Sequence, residues 1–367
     1  MFFCFVFGLE PWLLPPAVEM VEALKSKGHR VQIIYAQYRG ENPDPKDYDT
    51  ANTYNIIPKQ GGYKRLLTYT LLTKAVEELR SKENIEILIA CDIVSLQAIS
   101  GITGIKKGYW GFEIFSKPRK VKLSFDYYRS LRFPAWIRGL NFYLAPSRTR
   151  VDKIRLRAGN KVEGQIIYNC RRYVKKGEEA TVNKSTDVIY TGRISAAQYV
   201  EEIVDAIELV SGDIKLYIAG PGDKAYIDKL QHRVDTSASL KGRVIFTGRL
   251  SREDVYALTE KANIGFVFYN DQMGDEANDP APNKLSDYIA AGIWSVGGPQ
   301  GYIKYWLEER GAGICIKEVN KENIAAAISA ITAGKQFQDK RVLQDIYKNE
   351  LNMDVQCDKL LQLIERT

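Results

Sequence analysis

The sequence has little of what metal centres and hydrolytic triads require. Its 367 residues include two histidines, His29 and His232, and five cysteines that lie far apart with no Cys-x-x-Cys pair. This pattern argues against a zinc site, a disulfide framework and a Ser-His-Asp triad, so both histidines are interpreted as structural. An odd number of scattered cysteines is typical of a reducing compartment.

Long apolar runs are also missing. No run reaches the roughly 18 residues that a membrane-spanning helix needs. The apolar start "MFFCFVFGLE" predicts a buried first strand rather than a signal peptide. We therefore expect a cytoplasmic protein, and its length predicts two domains.

Acidic residues are scarce in one region. Residues 106–157 contain 14 Lys and Arg but only three acids, Glu113, Asp126 and Asp152, with aromatic residues interleaved. Such a surface attracts nucleic acid, acidic lipid or a phosphorylated substrate, although an ordinary solvated basic face explains it equally well. We expect no nucleic-acid partner, because no recognised nucleic-acid-binding motif is present.

Short apolar segments alternate with amphipathic helical segments along most of the chain. This alternation predicts βαβ units and parallel sheets. It begins again after a polar stretch at 171–187. The predicted fold class is therefore α/β, with two doubly wound Rossmann-like domains that face a cleft. The expected ranges are 1–170 and 171–340, followed by a C-terminal helix in 341–367.

The segment "NDPAPNKLSDYIAAG", residues 278–292, combines acids, a lysine and a helix start. It follows the predicted strand "IGFVFYN"; Asn283 is the predicted N-cap and Gly292 the stop. Lys284 in the first turn is unfavourable to the helix dipole but favourable to a bound anion. A capped surface helix is the plainer interpretation of the same residues.

Several segments match one enzyme family in order. "APNKLSDYIAAGIWSV" resembles the Pro-x-Lys-x-x-(Glu/Asp)-Tyr segment of family-4 glycosyltransferases with the GT-B fold. "FYLAPSRTRVDKI", "IIYNCRR", "VIYTGRIS", "LYIAGPGD" and "VIFTGRLSREDVYALTEKANIGFVF" are similar to further segments of that family, in its spacing. The resemblance covers nearly the whole chain and is most specific in its second half.

This resemblance implies a retaining, metal-independent transfer, with no cofactor beyond the nucleotide-sugar substrate. The donor would lie on the second domain and the acceptor on the first, and the C-terminal helix would pack back on the first domain. Asp287 would hold the nucleotide ribose, and Asp279, eight positions earlier, would face the transferred sugar. For both acids an acid-rich surface loop is the alternative. The donor-binding residues it implies are Gly8, Gly192, Arg193, Gly220, Lys284, Leu285 and Asp287.

The chain departs from the family pattern at the residues that stabilise the donor diphosphate. The family pairs an Arg with a Lys five positions later; Arg193 matches the Arg, but Gln198 stands at the Lys position. Loss of positive charge at a leaving group can cost several kcal/mol of barrier. Either Lys284 or another cation supplies the charge, or activity is weak, or the protein is not a transferase.

The residues expected to face the acceptor also differ from the family pattern. Phe112 stands where relatives carry a histidine, and Glu113 remains as a candidate to position or deprotonate an acceptor hydroxyl. A structural carboxylate accounts for Glu113 equally well. Gly8 allows either a close approach to the donor or simply a tight turn. The expected catalytic set is Arg193, Lys284, Asp279 and Glu113.

Two functions remain open from the sequence. One is transfer of a sugar to a glycan or polyprenyl-linked acceptor in polysaccharide or glycoconjugate biosynthesis. Residues 117–138 would then dock on an anionic membrane surface, placing the protein at the inner face of the cell membrane. The other is a catalytically degenerate GT-B protein that binds nucleotide sugars or acts as a scaffold. A GT-B epimerase is a lesser relative.

Overall fold

The architecture comes from a computed structural model. It describes residues 1–38, 53–56, 67–112, 125–174, 186–270, 279–337 and 339–367. The chain forms two compact units, one of Met1–Tyr168 with Met353–Thr367 and one of Asn169–Asn352. In the residues that the structure describes, no helix has the length and apolar character needed to span a membrane.

Unit 1 is a parallel sheet with helices. Its described strands pair in the order β3-β2-β1-β4-β5-β6-β7. The strands and helices are β1 Phe2–Phe7, α1 Pro15–Ser26, β2 Arg30–Ala36, β3 Thr53–Ile56, α2 Thr68–Lys82, β4 Ile87–Ala90, α3 Ile93–Ile99, β5 Lys106–Trp110, α4 Phe125–Arg138, β6 Phe142–Ala145, α5 Arg148–Ala158 and β7 Glu163–Ile166.

The first strand lies at the centre of that sheet. Every residue of β1 is buried, and Phe5 pairs with Ile33 on one side and Ile89 on the other. A strand enclosed on both faces must be apolar throughout, which explains "FFCFVF". The sequence-based expectation of a buried first strand is met.

Unit 2 repeats the architecture with a second parallel sheet. The described strands pair in the order β10-β9-β8-β11-β12-β13. Its elements are β8 Val188–Thr191, α6 Val200–Leu209, β9 Leu216–Ala219, α7 Lys224–Thr236, β10 Val244–Gly248, α8 Arg252–Lys261, β11 Ile264–Val267, α9 Asn283–Ala291, β12 Trp294–Gly297, α10 Gly301–Lys304, β13 Gly313–Cys315, α11 Lys321–Ala333 and α12 Arg341–Asn349.

The last helix, α13 (Met353–Arg366), belongs to unit 1 and packs against α1. Leu360 and Leu363 on α13 are fully buried. The Lys106 amine donates a hydrogen bond of 2.7 Å to the Ile364 carbonyl, near the end of the helix. Unit 1 is therefore completed by a segment that follows unit 2 in the chain.

Both sheets reverse their strand order at an internal strand. In unit 1 the reversal lies between β1 and β4, and in unit 2 between β8 and β11. Loops that leave the carboxyl ends of these strands diverge and create a crevice where ligands of doubly wound sheets bind. The predicted fold class, α/β with two parallel-sheet domains, is confirmed.

Candidate functional site

The switch point of unit 2 contains a buried lysine. Lys284 is the second residue of α9, which follows β11 in the chain, and its residue exposure is only 9%. Lysine is almost never buried unless its amine is paired. Among the described residues, no carboxylate forms an ion pair with this amine.

The amine is enclosed by neutral groups. Lys284 Nζ donates a 2.7 Å hydrogen bond to Gln198 Oε1, and it lies 4.2 Å from the Tyr190 ring centroid and 5.6 Å from that of Tyr269. Aromatic faces attract a cation without neutralising it. We call Lys284, Gln198, Tyr190, Tyr269 and the adjacent Gly192 the Lys284 cluster.

Burial weakens the basicity of this amine. The pKa of Lys284 falls from 10.5 to about 7, because the enclosed ammonium loses its hydration. Burial also raises the pKa values of Tyr190 and Tyr288 well above their ordinary range, so both phenols stay neutral at physiological pH. Near neutral pH the Lys284 amine is therefore poised between its neutral and charged forms.

Two glycines make room for the amine. A Cβ on Gly192 would lie 3.2 Å from Lys284 Nζ, and a Cβ on Gly220 would lie 1.9 Å from the Gly192 carbonyl oxygen. Both residues have positive φ, 116° for Gly192 and 147° for Gly220. The loops after β8 and β9 thus approach each other as closely as backbone permits, beside Lys284.

Helix α9 begins one residue earlier than expected. Pro282 is the N-cap, with extended backbone and no side-chain cap, so the prediction of Asn283 as N-cap is wrong. Proline already has the extended backbone that an N-cap position adopts, which leaves Asn283 as the first helical residue. The helix stops at Gly292 with φ 73°, as expected. An N-terminus without a side-chain cap keeps its amide groups available to an anion.

The two acids of the segment occupy different surroundings. Asp279 is buried, with 2% exposure, before α9. Asp287 lies one turn into the helix, with 36% of its side chain exposed, and Arg171 Nε is 4.0 Å from its carboxylate. The loop between them is anchored by Asn169, whose amide donates a 2.9 Å hydrogen bond to the Ala281 carbonyl.

Arg193 and Leu285 differ in the solvent exposure of their side chains. Arg193 follows Gly192 after β8 and is exposed, and its carbonyl accepts a 2.6 Å hydrogen bond from Tyr190. Leu285 is only 1% exposed, so its side chain belongs to the core and its backbone amide is what it can offer a ligand.

The switch point of unit 1 holds Gly8. The Gly8 amide donates to the carboxylate of Asp92, the N-cap of α3, which also accepts from the Val94 and Ser95 amides. A Cβ at Gly8 would lie 2.5 Å from Val94 Cβ, so the close packing of this loop on α3 is sufficient reason for the glycine. Burial raises the pKa of Asp92.

Of the acceptor-side residues, the structure describes Phe112, while Glu113 lies outside the described residues. Phe112, at the position where the family carries a histidine, packs on Trp110 with ring centroids 4.6 Å apart. Its carbonyl accepts a hydrogen bond from the Arg150 guanidinium.

A pocket of about 470 Å³ opens in unit 2 beside the Lys284 cluster, and Tyr269 belongs to both. It is lined by Tyr199, Tyr269, Asn270, Pro299, Gln300, Lys317, Glu318 and Val319. Aromatic rings and amides of this kind suit a polar ligand such as a sugar. Within the described ranges no three His, Cys, Asp or Glu residues are grouped to hold a metal ion.

Known proteins share this architecture. HepE from Anabaena, in a structure with UDP and glucose, covers 100% of both chains at 13% identity with a TM-score of 0.74. Sucrose-phosphate synthase from Thermosynechococcus elongatus matches 100% of this chain and 99% of its own at 13% identity and a TM-score of 0.74. UDP-GlcNAc 2-epimerase from Methanocaldococcus jannaschii covers 100% of both chains at 12% identity, with a TM-score of 0.63.

At such identities these likenesses establish the fold alone. A comparison with curated proteins returned no match. Residues 173–345, which lie within unit 2, match the model of the family described as glycosyl transferases group 1.

Fold and family model together define the class: the whole chain has the GT-B fold, and its second unit matches a glycosyltransferase family, as the sequence motifs indicated. More particularly, residues 173–345 form a glycosyl transferases group 1 domain, and this domain contains the whole Lys284 cluster.

Three members of the cluster are not evident from the sequence. Gln198 stands there only as an absent lysine, and neither Tyr190 nor Tyr269 is singled out. The available signal is a polar or aromatic residue in a strand end or turn that flanks the switch point of the sheet. Of the residues expected to bind the donor, the structure brings together Gly192, Gly220 and Lys284.

Proposed function

We propose that the protein transfers a sugar from a nucleotide-sugar donor, with retention and without a metal ion, in the manner of family 4. The observation that carries the proposal is the Lys284 cluster: a buried amine at an uncapped helix N-terminus, on the switch point of a glycosyl transferases group 1 domain. A protein gains little stability from burying such an amine, so an anionic ligand is the better explanation.

The donor diphosphate is the anion that fits this site. Lys284, the first-turn amides of α9, including that of Leu285, and the exposed guanidinium of Arg193 would stabilise the charge that develops on the leaving diphosphate. Gly192 and Gly220 would leave room for the phosphates. Because these groups supply charge and position, the transfer would proceed without a cofactor or a metal ion.

Asp287 supports binding of the nucleoside part. Its half-exposed carboxylate can accept hydrogen bonds from two vicinal ribose hydroxyls, with Arg171 holding it in place. Asp287→Asn should therefore weaken UDP binding about tenfold or more and leave pyrophosphate binding unchanged. Isothermal titration calorimetry with both ligands measures the difference. Equal losses for UDP and pyrophosphate would exclude the ribose contact.

Asp279, Gly8 and Glu113 are the further residues that we propose to take part in the transfer. Asp279 would accept a hydrogen bond from a hydroxyl of the transferred sugar. Gly8 would lie near the donor, and Glu113 would position or deprotonate a hydroxyl of the acceptor. The acceptor is proposed to be a glycan or a polyprenyl-linked sugar used in polysaccharide or glycoconjugate biosynthesis.

Membrane docking is proposed for the basic segment 117–138, of which the structure describes α4. Helix α4 exposes Tyr128 (46%) and Leu131 (59%) together with Arg132 and Arg138. Aromatic, apolar and basic side chains on one helix suit an anionic bilayer surface. The protein would then be a cytoplasmic enzyme at the inner face of the cell membrane.

A donor panel tests the transferase. Purified protein is incubated with UDP-, GDP- and ADP-sugars and lipid-linked or glycan acceptors, and nucleoside diphosphate release is measured. We expect one donor to be consumed, and Lys284→Gln to reduce the rate at least about a hundredfold. Lys241→Gln removes an exposed lysine from the same unit and should have no effect. Absence of turnover and of nucleotide binding across the panel would refute the proposal.

A second candidate is a degenerate GT-B protein that binds nucleotide sugars without turnover. Gln198 at the lysine position and Phe112 at the histidine position favour it. Calorimetric binding of a nucleotide sugar with neither transfer nor hydrolysis would support this candidate over the transferase. Conversion of the donor to an epimer would instead indicate the reaction named for the Methanocaldococcus neighbour.

A further inference from the structure

Gln198 is the centre of the hydrogen bonds around Lys284. It ends a short helical turn, Ala196–Gln198, after β8 and is 6% exposed. Its Oε1 accepts from Lys284 Nζ at 2.7 Å and from the Tyr190 hydroxyl. Two groups of the cluster therefore meet at this amide oxygen.

The same hydrogen bonds connect the two proposed diphosphate ligands. The Tyr190 hydroxyl has one proton and also lies 2.6 Å from the Arg193 carbonyl, so it donates either to this carbonyl or to Gln198 Oε1. Tyr190 therefore links the backbone that carries Arg193 to the amide that holds Lys284. A change at Gln198 would disturb both cationic residues without touching the ligand itself.

In this chain the contact suits a neutral acceptor at position 198. A lysine at position 198 would place a second ammonium within hydrogen-bonding distance of Lys284 in a buried site, where like charges repel strongly. A glutamine there accepts the hydrogen bond instead. The single buried cation of the cluster is thus contributed by α9 and not by the turn after β8.

We infer that Gln198 is a positioning residue for the donor diphosphate: its neutral amide oxygen accepts a hydrogen bond from the Lys284 amine and holds that amine in place. The inference rests on the proposed function, since it assumes that a diphosphate binds here.

Burial without a charged acceptor also decides the charge state of the amine. Because the pKa of Lys284 is about 7, part of the population is uncharged at neutral pH. Binding a diphosphate favours the ammonium, so the amine takes a proton from the buffer as the ligand binds. Affinity should therefore fall as the pH rises above 7, and a carboxylate at position 198 should remove this dependence.

The groups around the amine limit other sources of pH dependence. Tyr190 and Tyr288 have pKa values raised by burial and do not ionise between pH 6 and 9. Among the described residues, the other titratable or charged groups on the adjoining strands, loops and helices include Tyr199, Tyr226, Tyr269, Arg193, Asp279 and Asp287.

Two substitutions at Gln198 distinguish a role in positioning the Lys284 amine from a purely structural role. Gln198→Met keeps the size of the side chain but removes the acceptor, and should weaken UDP and pyrophosphate binding about tenfold at pH 6.5. Gln198→Glu supplies a charged acceptor, so the affinity should no longer fall between pH 7 and 9. Calorimetry at several pH values, in buffers of different ionisation enthalpy, measures both the affinity and the proton taken up.

An exchange of the two side chains is the sharpest test. Gln198→Lys and Lys284→Gln should each weaken UDP binding at least about tenfold, and the double variant should recover most of the loss, because coupled neighbours are non-additive. Lys241→Gln is the matched control, and thermal unfolding verifies that each variant is folded.

The outcomes distinguish the two proposals. If no nucleoside diphosphate or pyrophosphate binds the wild-type protein, both the proposed function and this inference are wrong. If the wild-type protein binds UDP while Gln198→Met keeps its affinity and pH profile, only the positioning role is refuted. Should Gln198→Met prove unfolded, an unchanged pH profile in Gln198→Glu refutes the positioning role by itself.

Discussion

Burial of an amine without a counter-ion, as at Lys284, lowers stability and is expected where function requires it. Tyr190 and Tyr269 offer ring faces and Gln198 one oxygen, which offset only part of the lost hydration. Position 284 should therefore show a conflict between stability and ligand binding.

Lys284→Met should stabilise unit 2 most at low pH. The unfolded amine titrates at its ordinary pKa of 10.5 and the folded one at about 7, so the penalty is complete below pH 7 and fades as the pH rises towards 10.5. We expect roughly 2–4 kcal/mol of added stability at pH 6, with a smaller gain at pH 9. Urea unfolding at both pH values measures it.

Lys241→Met is the control for this experiment, because Lys241 is an exposed lysine of the same unit. Its stability relative to the wild-type protein should not change with pH over this range. A gain in Lys284→Met that was equal at pH 6 and pH 9 would contradict the lowered basicity of the buried amine.

At the scale of elements, the strand ends of unit 2 depend on glycine. The loops after β8 and β9 meet at Gly192 and Gly220, and no side chain fits between them. Their contact determines the path of the backbone that leads to Arg193 and Gln198. Packing of these two loops is therefore part of how the Lys284 cluster is built.

Gly220→Ala should destabilise unit 2 by more than about 3 kcal/mol, because the methyl group would overlap the Gly192 carbonyl as well as strain the backbone. Gly242→Ala isolates the backbone strain, because Gly242 has φ 78° and nothing lies within 4 Å of an added Cβ. This substitution should therefore destabilise the protein by only about 1 kcal/mol. Chemical denaturation compares the two variants. Equal losses of unfolding free energy in the two variants would show that the close approach of Gly220 to Gly192 does not contribute to stability.

Local pattern predicts the elements well and their contacts poorly. Strands such as "DVIYTGR" and "IKLYIAG" are predictable because a buried parallel strand must be continuously apolar, and Gly292 because a helix needs a left-handed stop. The pairing of Gln198 with Lys284 is not, since it joins residues 86 positions apart. For the same reason the sequence alone makes Gln198 look like a lost cation, whereas it is the hydrogen-bond partner of Lys284.

At the scale of the whole molecule, net charge and α4 favour an anionic surface. The chain carries a formal charge of +7, and α4 exposes Leu131 and Tyr128 beside its arginines. Each basic residue near an anionic membrane contributes about 1 kcal/mol of binding.

Replacing Arg132 and Arg138 together by Gln should therefore reduce binding to phosphatidylglycerol-containing vesicles about tenfold or more in a co-sedimentation assay. Leu131→Ser should weaken binding as well. Leu156→Ser on α5 is the control, since Leu156 is 84% exposed but lies outside the proposed docking segment. If the arginine variant binds vesicles like the wild-type protein, α4 is not a docking face.

Unit 2 is continuous in sequence, whereas unit 1 is completed by the last 15 residues, Met353–Thr367. During vectorial synthesis unit 2 can close around its own core as soon as Asn352 has left the ribosome, while unit 1 must wait for α13. The glycosyl transferases group 1 domain would thus mature before the unit in which it is inserted. A nascent chain stalled with Asn352 just outside the ribosome and α13 still inside should already resist protease in unit 2 alone.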